Sequence, residues 1–113
     1  MAKAFHELAL ISVPDLCRAD PASATRIGFL AQAAAECLTE FKLVTSDLVV
    51  RYRANPTSFE ILLGDLTPEG LVFAKSGFQR WLANADRWKT SKTAEKYKQA
   101  LTKQWEKSRD SAV

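Results

Sequence analysis

From Ala22 to Phe41 the apolar residues Ile27, Leu30, Ala31, Ala34, Leu38 and Phe41 stand at offsets 0, 3, 4, 7, 11 and 14, the spacing that lines one face of an α-helix. Phe29, Ala33 and Cys37 add a second, flanking stripe. A helix apolar over so much of its circumference must be covered from two sides. The spacing therefore predicts a central helix over 22–41 with the other elements packed around it. Asp20 and Pro21 offer a capping side chain and a first-turn residue that needs no donor, which marks its start. Upstream, Ala2 to Ile11 reads as a weak helix broken by Pro14, so 1–21 is a weak N-terminal helix and loop.

A second anchor lies at 65–88. Thr67 is placed to cap a helix, Pro68 suits its first turn, and Glu69 sets negative charge against the positive end of its dipole. Leu71, Ala74, Phe78, Trp81, Leu82, Ala85 and Trp88 then mark a buried side, predicting an anchor helix over 67–88. Gly70 and Gly77 fall inside it. Each costs up to about 1 kcal/mol relative to alanine unless another element crosses closely there, so a close crossing is expected. After Lys89 come several capping residues, and Tyr97, Leu101 and Trp105 form a narrow stripe on an otherwise polar segment. This predicts a basic helix over 93–109, docked by one edge.

Residues 47–63 admit two periods. Leu48, Val50 and Tyr52 alternate with Val49, Arg51 and Arg53, and Phe59, Ile61 and Leu63 alternate with Glu60 and Leu62. With period two this is a hairpin whose loop holds Asn55 and Pro56. With period 3.6, Leu48, Val49 and Tyr52 fit a short helix, and Thr57 with Glu60 forms a capping box. The β-branched and aromatic content favours strands, so a hairpin is the expectation. Together these readings give one domain over 1–113, of α+β class and predominantly helical. It has a central apolar helix, one small β-hairpin and two C-terminal helices.

A chain of 113 residues can bury somewhat over ~60% of its unfolded surface, enough for one core. No apolar stretch reaches the length needed to cross a bilayer. The run Leu8 to Val13 follows Glu7, is too short for the core of a secretion signal, and has no small-residue cleavage site after it. A cytoplasmic address and no membrane partner are expected. Cys17 and Cys37, widely spaced, then read as buried thiols.

Reactive groups are sparse. His6 is the sole histidine, and no local pattern ties it to a nucleophile, although Cys17 or Cys37 stands open as a partner in space. Glu36 with Glu40, and Asp65 with Glu69, lie one helical turn apart without the companion ligands a metal site requires. Gly64, Gly70 and Gly77 fit no phosphate-binding loop. The expectation is a protein that is not an enzyme, with no catalytic residue, no metal and no cofactor.

The net charge of +3 conceals an asymmetry. Residues 1–86 carry eight basic and ten acidic side chains, whereas 87–113 carry eight basic and three acidic. Lys89, Lys92, Lys96, Lys98, Lys103, Lys107 and Arg109 crowd the last helix beside Tyr97 and Trp105. Over 43–72, a helix, a hairpin and a helix opening on Leu-Thr-Pro-Glu-Gly resemble the wing region of winged-helix DNA-binding domains. That resemblance implies a nucleic-acid-binding regulator in which Arg51 and Arg53 on the wing, and Lys92, Lys96 and Lys103 on the basic helix, meet phosphates. The preceding helix, alanine-rich and bearing Glu36 and Glu40, lacks base-reading side chains.

Asp65, Leu66, Thr67, Glu69 and Gly70, then Arg80, Trp81 and Leu82, then Asp86 and Arg87, carry a further resemblance. Over roughly residues 40–105 the chain looks like small bacterial cytoplasmic proteins that resemble immunity proteins of secreted (type VI or Rhs-type) antibacterial toxins. That resemblance implies a non-enzymatic partner that occludes the active site of a cognate toxin, in a one-to-one or dimeric complex. Pairing of two copies of the chain is left open. Glu60, Asp65, Glu69, Arg80, Trp81, Arg87 and Trp88 are the expected contact residues, since tryptophan and arginine are enriched at interface centres. For each tryptophan the competing position is the core.

Overall fold

A computed structural model of the chain describes residues 7–84 and 94–111, the side chains of the last two excepted. Its elements run β1 (Ala9–Ser12), α1 (Val13–Ala19), α2 (Ala24–Glu40), α3 (Leu48–Ala54), β2 (Glu60–Leu62), α4 (Pro68–Ala74), α5 (Gly77–Asn84) and α6 (Ala94–Ser111), with 3-10 turns at Pro21–Ser23, Pro56–Ser58 and Leu63–Asp65. The α+β, predominantly helical class stands. No described helix is long and apolar enough to cross a membrane.

Helix α2 is the centre that its two stripes require. Ile27, Leu30, Ala31, Ala34 and Leu38 are buried, as are Ala33 and Cys37 of the flanking stripe. Helices α1 and α3 pack against it, and so does α6. Helix α6 docks by Tyr97 and Leu101, both fully buried, with Trp105 half-buried beyond them. Trp105 stacks on Phe41 at 5.5 Å and meets Phe73 edge-on at 5.2 Å. Phe73 continues through Phe78 to Trp81, so one run of aromatic rings joins the end of α2 to α4, α5 and α6.

Helix α2 stops at a Schellman turn: the Leu43 N–H donates to the Leu38 carbonyl and the Lys42 N–H to that of Thr39. Lys42 adopts the left-handed conformation this turn needs, with φ of 60°, at a residue type that resists it. Lys42→Gly should therefore raise stability by ~1 kcal/mol, read as a higher urea midpoint at unchanged slope.

The hairpin expected over 47–63 is absent. Its first half is helix α3, because the Asp47 carboxylate accepts from the Val49 and Val50 N–H groups and opens a helix there. Its second half is a strand, but β2 pairs antiparallel with β1, Ile11 opposite Ile61 and Ser12 opposite Glu60. The described part of the segment expected as a weak N-terminal helix thus holds a strand. Pro14, expected to break a helix, sits instead in the first turn of α1 behind the Ser12 cap.

The anchor segment also departs from a single helix. Thr67 caps α4 as its sequence implies, accepting from the Gly70 N–H at 3.1 Å. The helix then ends at Lys75, and α5 starts at Gly77. The close crossings expected at the two glycines are present. A Cβ at Gly70 would fall on the Leu43 carbonyl, and one at Gly77 on the Phe73 ring and the Ser108 hydroxyl of α6.

Candidate interaction surfaces

The side chains expected to contact a partner divide into committed and exposed groups. Arg51 on α3 reaches across to β2 and the turn after it. One guanidinium nitrogen pairs with Asp65 Oδ1 at 3.1 Å and the other donates to the Glu60 carbonyl at 2.9 Å. Asp65 Oδ2 in turn accepts from the Leu62 N–H at 2.9 Å. This clasp fixes α3 against β2 and commits both Arg51 and Asp65 to the fold. Arg51 is therefore a poor phosphate ligand and Asp65 a poor partner contact. The Glu60 side chain is half-buried beside the clasp.

Trp81 is fully buried, and its indole N–H donates to the Tyr97 carbonyl at 3.0 Å. It joins α5 to α6 and takes the core position that competes with its expected place at an interface. Arg87, Trp88 and Lys92 lie outside the described residues, as does His6. Cys37 is a buried thiol as expected, whereas Cys17 is half-buried, and neither forms a disulfide.

Two expected contact residues remain accessible. Glu69 on α4 and Arg80 on α5 are both exposed, and neither carries an ion pair among the described residues. Between them in sequence stands Val72, 70% exposed and the most exposed large hydrophobic side chain described. Sequence reasoning missed Val72. The available signal was its position off the buried stripe, since it follows Leu71 and faces away from Ala74. These side chains ride on helices backed by Phe73, Phe78 and Trp81, so the scaffold beneath them is stiff.

The basic helix presents a second surface. Lys96, Lys103 and Lys107 are exposed and fall within about 40° of one another around α6, opposite its buried side. Lys98 points elsewhere, pairing with Glu36 of α2 at 3.8 Å. Arg53 is exposed at the end of α3.

Among the described residues, two groups have shifted ionisation. Burial pushes the Cys37 thiol up to about 11, against a weaker opposing pull from the Thr102 hydrogen bond and the Lys98 charge. Desolvation, then the Glu36 charge, raises the Tyr52 phenol, whose hydroxyl donates to the Gly28 carbonyl at 3.1 Å. The unfolded chain releases the Cys37 proton near 9.0, before the native state does. Stability contributed by the neutral thiol is thus present below that pH and lost as pH rises to about 11. Urea midpoints taken at about pH 8 and about pH 10.5 should differ less in Cys37→Ala than in the parent.

No protein-family model matches the chain, and no curated protein or solved structure matches it either.

Proposed function

We propose that this is a non-enzymatic interaction protein of the immunity type, acting in the cytoplasm by seating against a cognate protein toxin and covering its active site. The observation that carries this reading is that Glu69, Val72 and Arg80 are all exposed on the consecutive helices α4 and α5. Arg80 is of a residue type enriched at interface centres, and exposed charges of both signs on a scaffold held by buried aromatic rings suit electrostatic matching to a protein partner. It also falls in the segment that carries the resemblance to immunity proteins.

The test is co-expression with the product of the neighbouring open reading frame, read as toxicity of that product alone, growth rescue by this chain and a purified complex. Reversing both charges, Glu69→Lys with Arg80→Glu, should weaken that complex by at least ~100-fold while the circular dichroism spectrum stays unchanged. Unaltered affinity in the double variant would remove this surface from the interface.

The nucleic-acid reading keeps Arg53, Lys96 and Lys103, the last two joined by Lys107 on one stripe, while Arg51 is engaged in its clasp. Anisotropy with a labelled DNA or RNA duplex at ~50 mM salt separates the two readings. The immunity reading expects no saturable binding. Binding that falls steeply with salt and disappears in Lys96→Glu with Lys103→Glu would replace it with the nucleic-acid one.

A further inference from the structure

The seam between α2 and α3 is not filled along its whole length. Gln32, Ala35 and Glu36 on α2 face Val49, Tyr52 and Arg53 on α3 around a cleft of about 130 Å³. Its lining combines apolar surface from Ala35 and Val49 with four polar side chains, of which Tyr52 and Glu36 are partly engaged by the fold. Gln32 and Arg53 make no hydrogen bond or ion pair among the described residues. Glu36 is paired with Lys98 only at 3.8 Å, beyond hydrogen-bond length, and keeps about a quarter of its side chain exposed. The cleft thus carries a carboxylate on one wall and a guanidinium on the other, over a small apolar patch.

We infer that this cleft binds a small zwitterion of the α-amino-acid class, its ammonium held by Glu36 and Gln32 and its carboxylate by Arg53. Opposite charges on opposite walls select a ligand bearing both, because a simple cation meets Arg53 and a simple anion meets Glu36. Size limits the ligand as well. An enclosed cavity of about 150 Å³ holds benzene, so the part of a ligand seated in this open cleft is about six non-hydrogen atoms, the size of alanine. The site rests on α2 and α3 and is independent of the toxin reading, which rests on α4 and α5.

The experiment is a titration of the ¹⁵N-labelled full chain with L-alanine, ethylamine and propionate, following the Ala35, Val49 and Arg53 amides. L-Alanine should saturate with a Kd on the order of 1 mM, and each singly charged analogue should bind at least ~10-fold more weakly. Arg53→Gln, at an exposed position, should weaken alanine binding by ~10-fold, and Val49→Phe, which fills the cleft, should abolish it. Absence of saturable shifts up to ~50 mM alanine, equal response to the three compounds, or unchanged binding in both folded variants would overturn the assignment.

Discussion

Trp81→Ala is expected to lower the unfolding free energy by ~3–5 kcal/mol, a large share of the ~5–15 kcal/mol typical of a natural domain. The indole is wholly buried, lies 5.2 Å from the Phe78 ring, and donates to the Tyr97 carbonyl across the α5–α6 seam. Truncation leaves a cavity in the aromatic run and removes the hydrogen bond that ties α5 to α6. Trp81→Phe separates the two effects, keeping a ring against Phe78 while removing the donor, for a smaller loss of ~1–3 kcal/mol. Chemical denaturation of both variants measures the order. A shift below ~1 kcal/mol for the alanine variant would show that this seam contributes little to stability.

The second large effect concerns two glycines of opposite sign. Gly70→Ala would drive a methyl group into the Leu43 carbonyl. That carbonyl already accepts from the Thr67 N–H at 2.9 Å and from its hydroxyl at 3.2 Å, so it cannot move without breaking the cap of α4. A loss of at least ~2 kcal/mol is expected. Gly28→Ala meets only the Tyr52 hydroxyl at 3.8 Å, ordinary contact, in the middle of α2. It should stabilise by ~0.5–1 kcal/mol through helix propensity alone. Thermal melts of the two variants moving in the same direction would contradict this pair of assignments.

These two outcomes bear on what the residues disclosed beforehand. Helix α2 was legible because its apolar residues repeat at 3.6 without a miss, and the α4 cap because Thr67 and Pro68 act locally. The close approach at Gly70 was legible from its cost in a helix. Its partner, Leu43, was not, since nothing local encodes a distant carbonyl. The reading of 47–54 as a strand followed β-branched content at Val49 and Val50, and the Asp47 cap outweighed it. Strand β1 was hidden for a different reason: Leu10, Ile11 and Ser12 are all buried, so the alternation that marks a half-exposed strand never arises.

The candidate surfaces were legible in part. Glu69 and Arg80 were named and are accessible. Arg51, Asp65 and Trp81 carried residue types that suit an interface equally well as a clasp or a core, and only their partners decide between these. Val72 and the α2–α3 cleft required knowing which helix faces meet.

The pairing of β1 with β2 sets a timetable for the nascent chain. The two strands are roughly fifty residues apart, and ribosomes add about 5–20 residues each second. For several seconds the segment at 9–12 has emerged while its complement has yet to be made. Those apolar residues, exposed meanwhile as an unmated edge, are where a chaperone or an aggregating neighbour would first take hold.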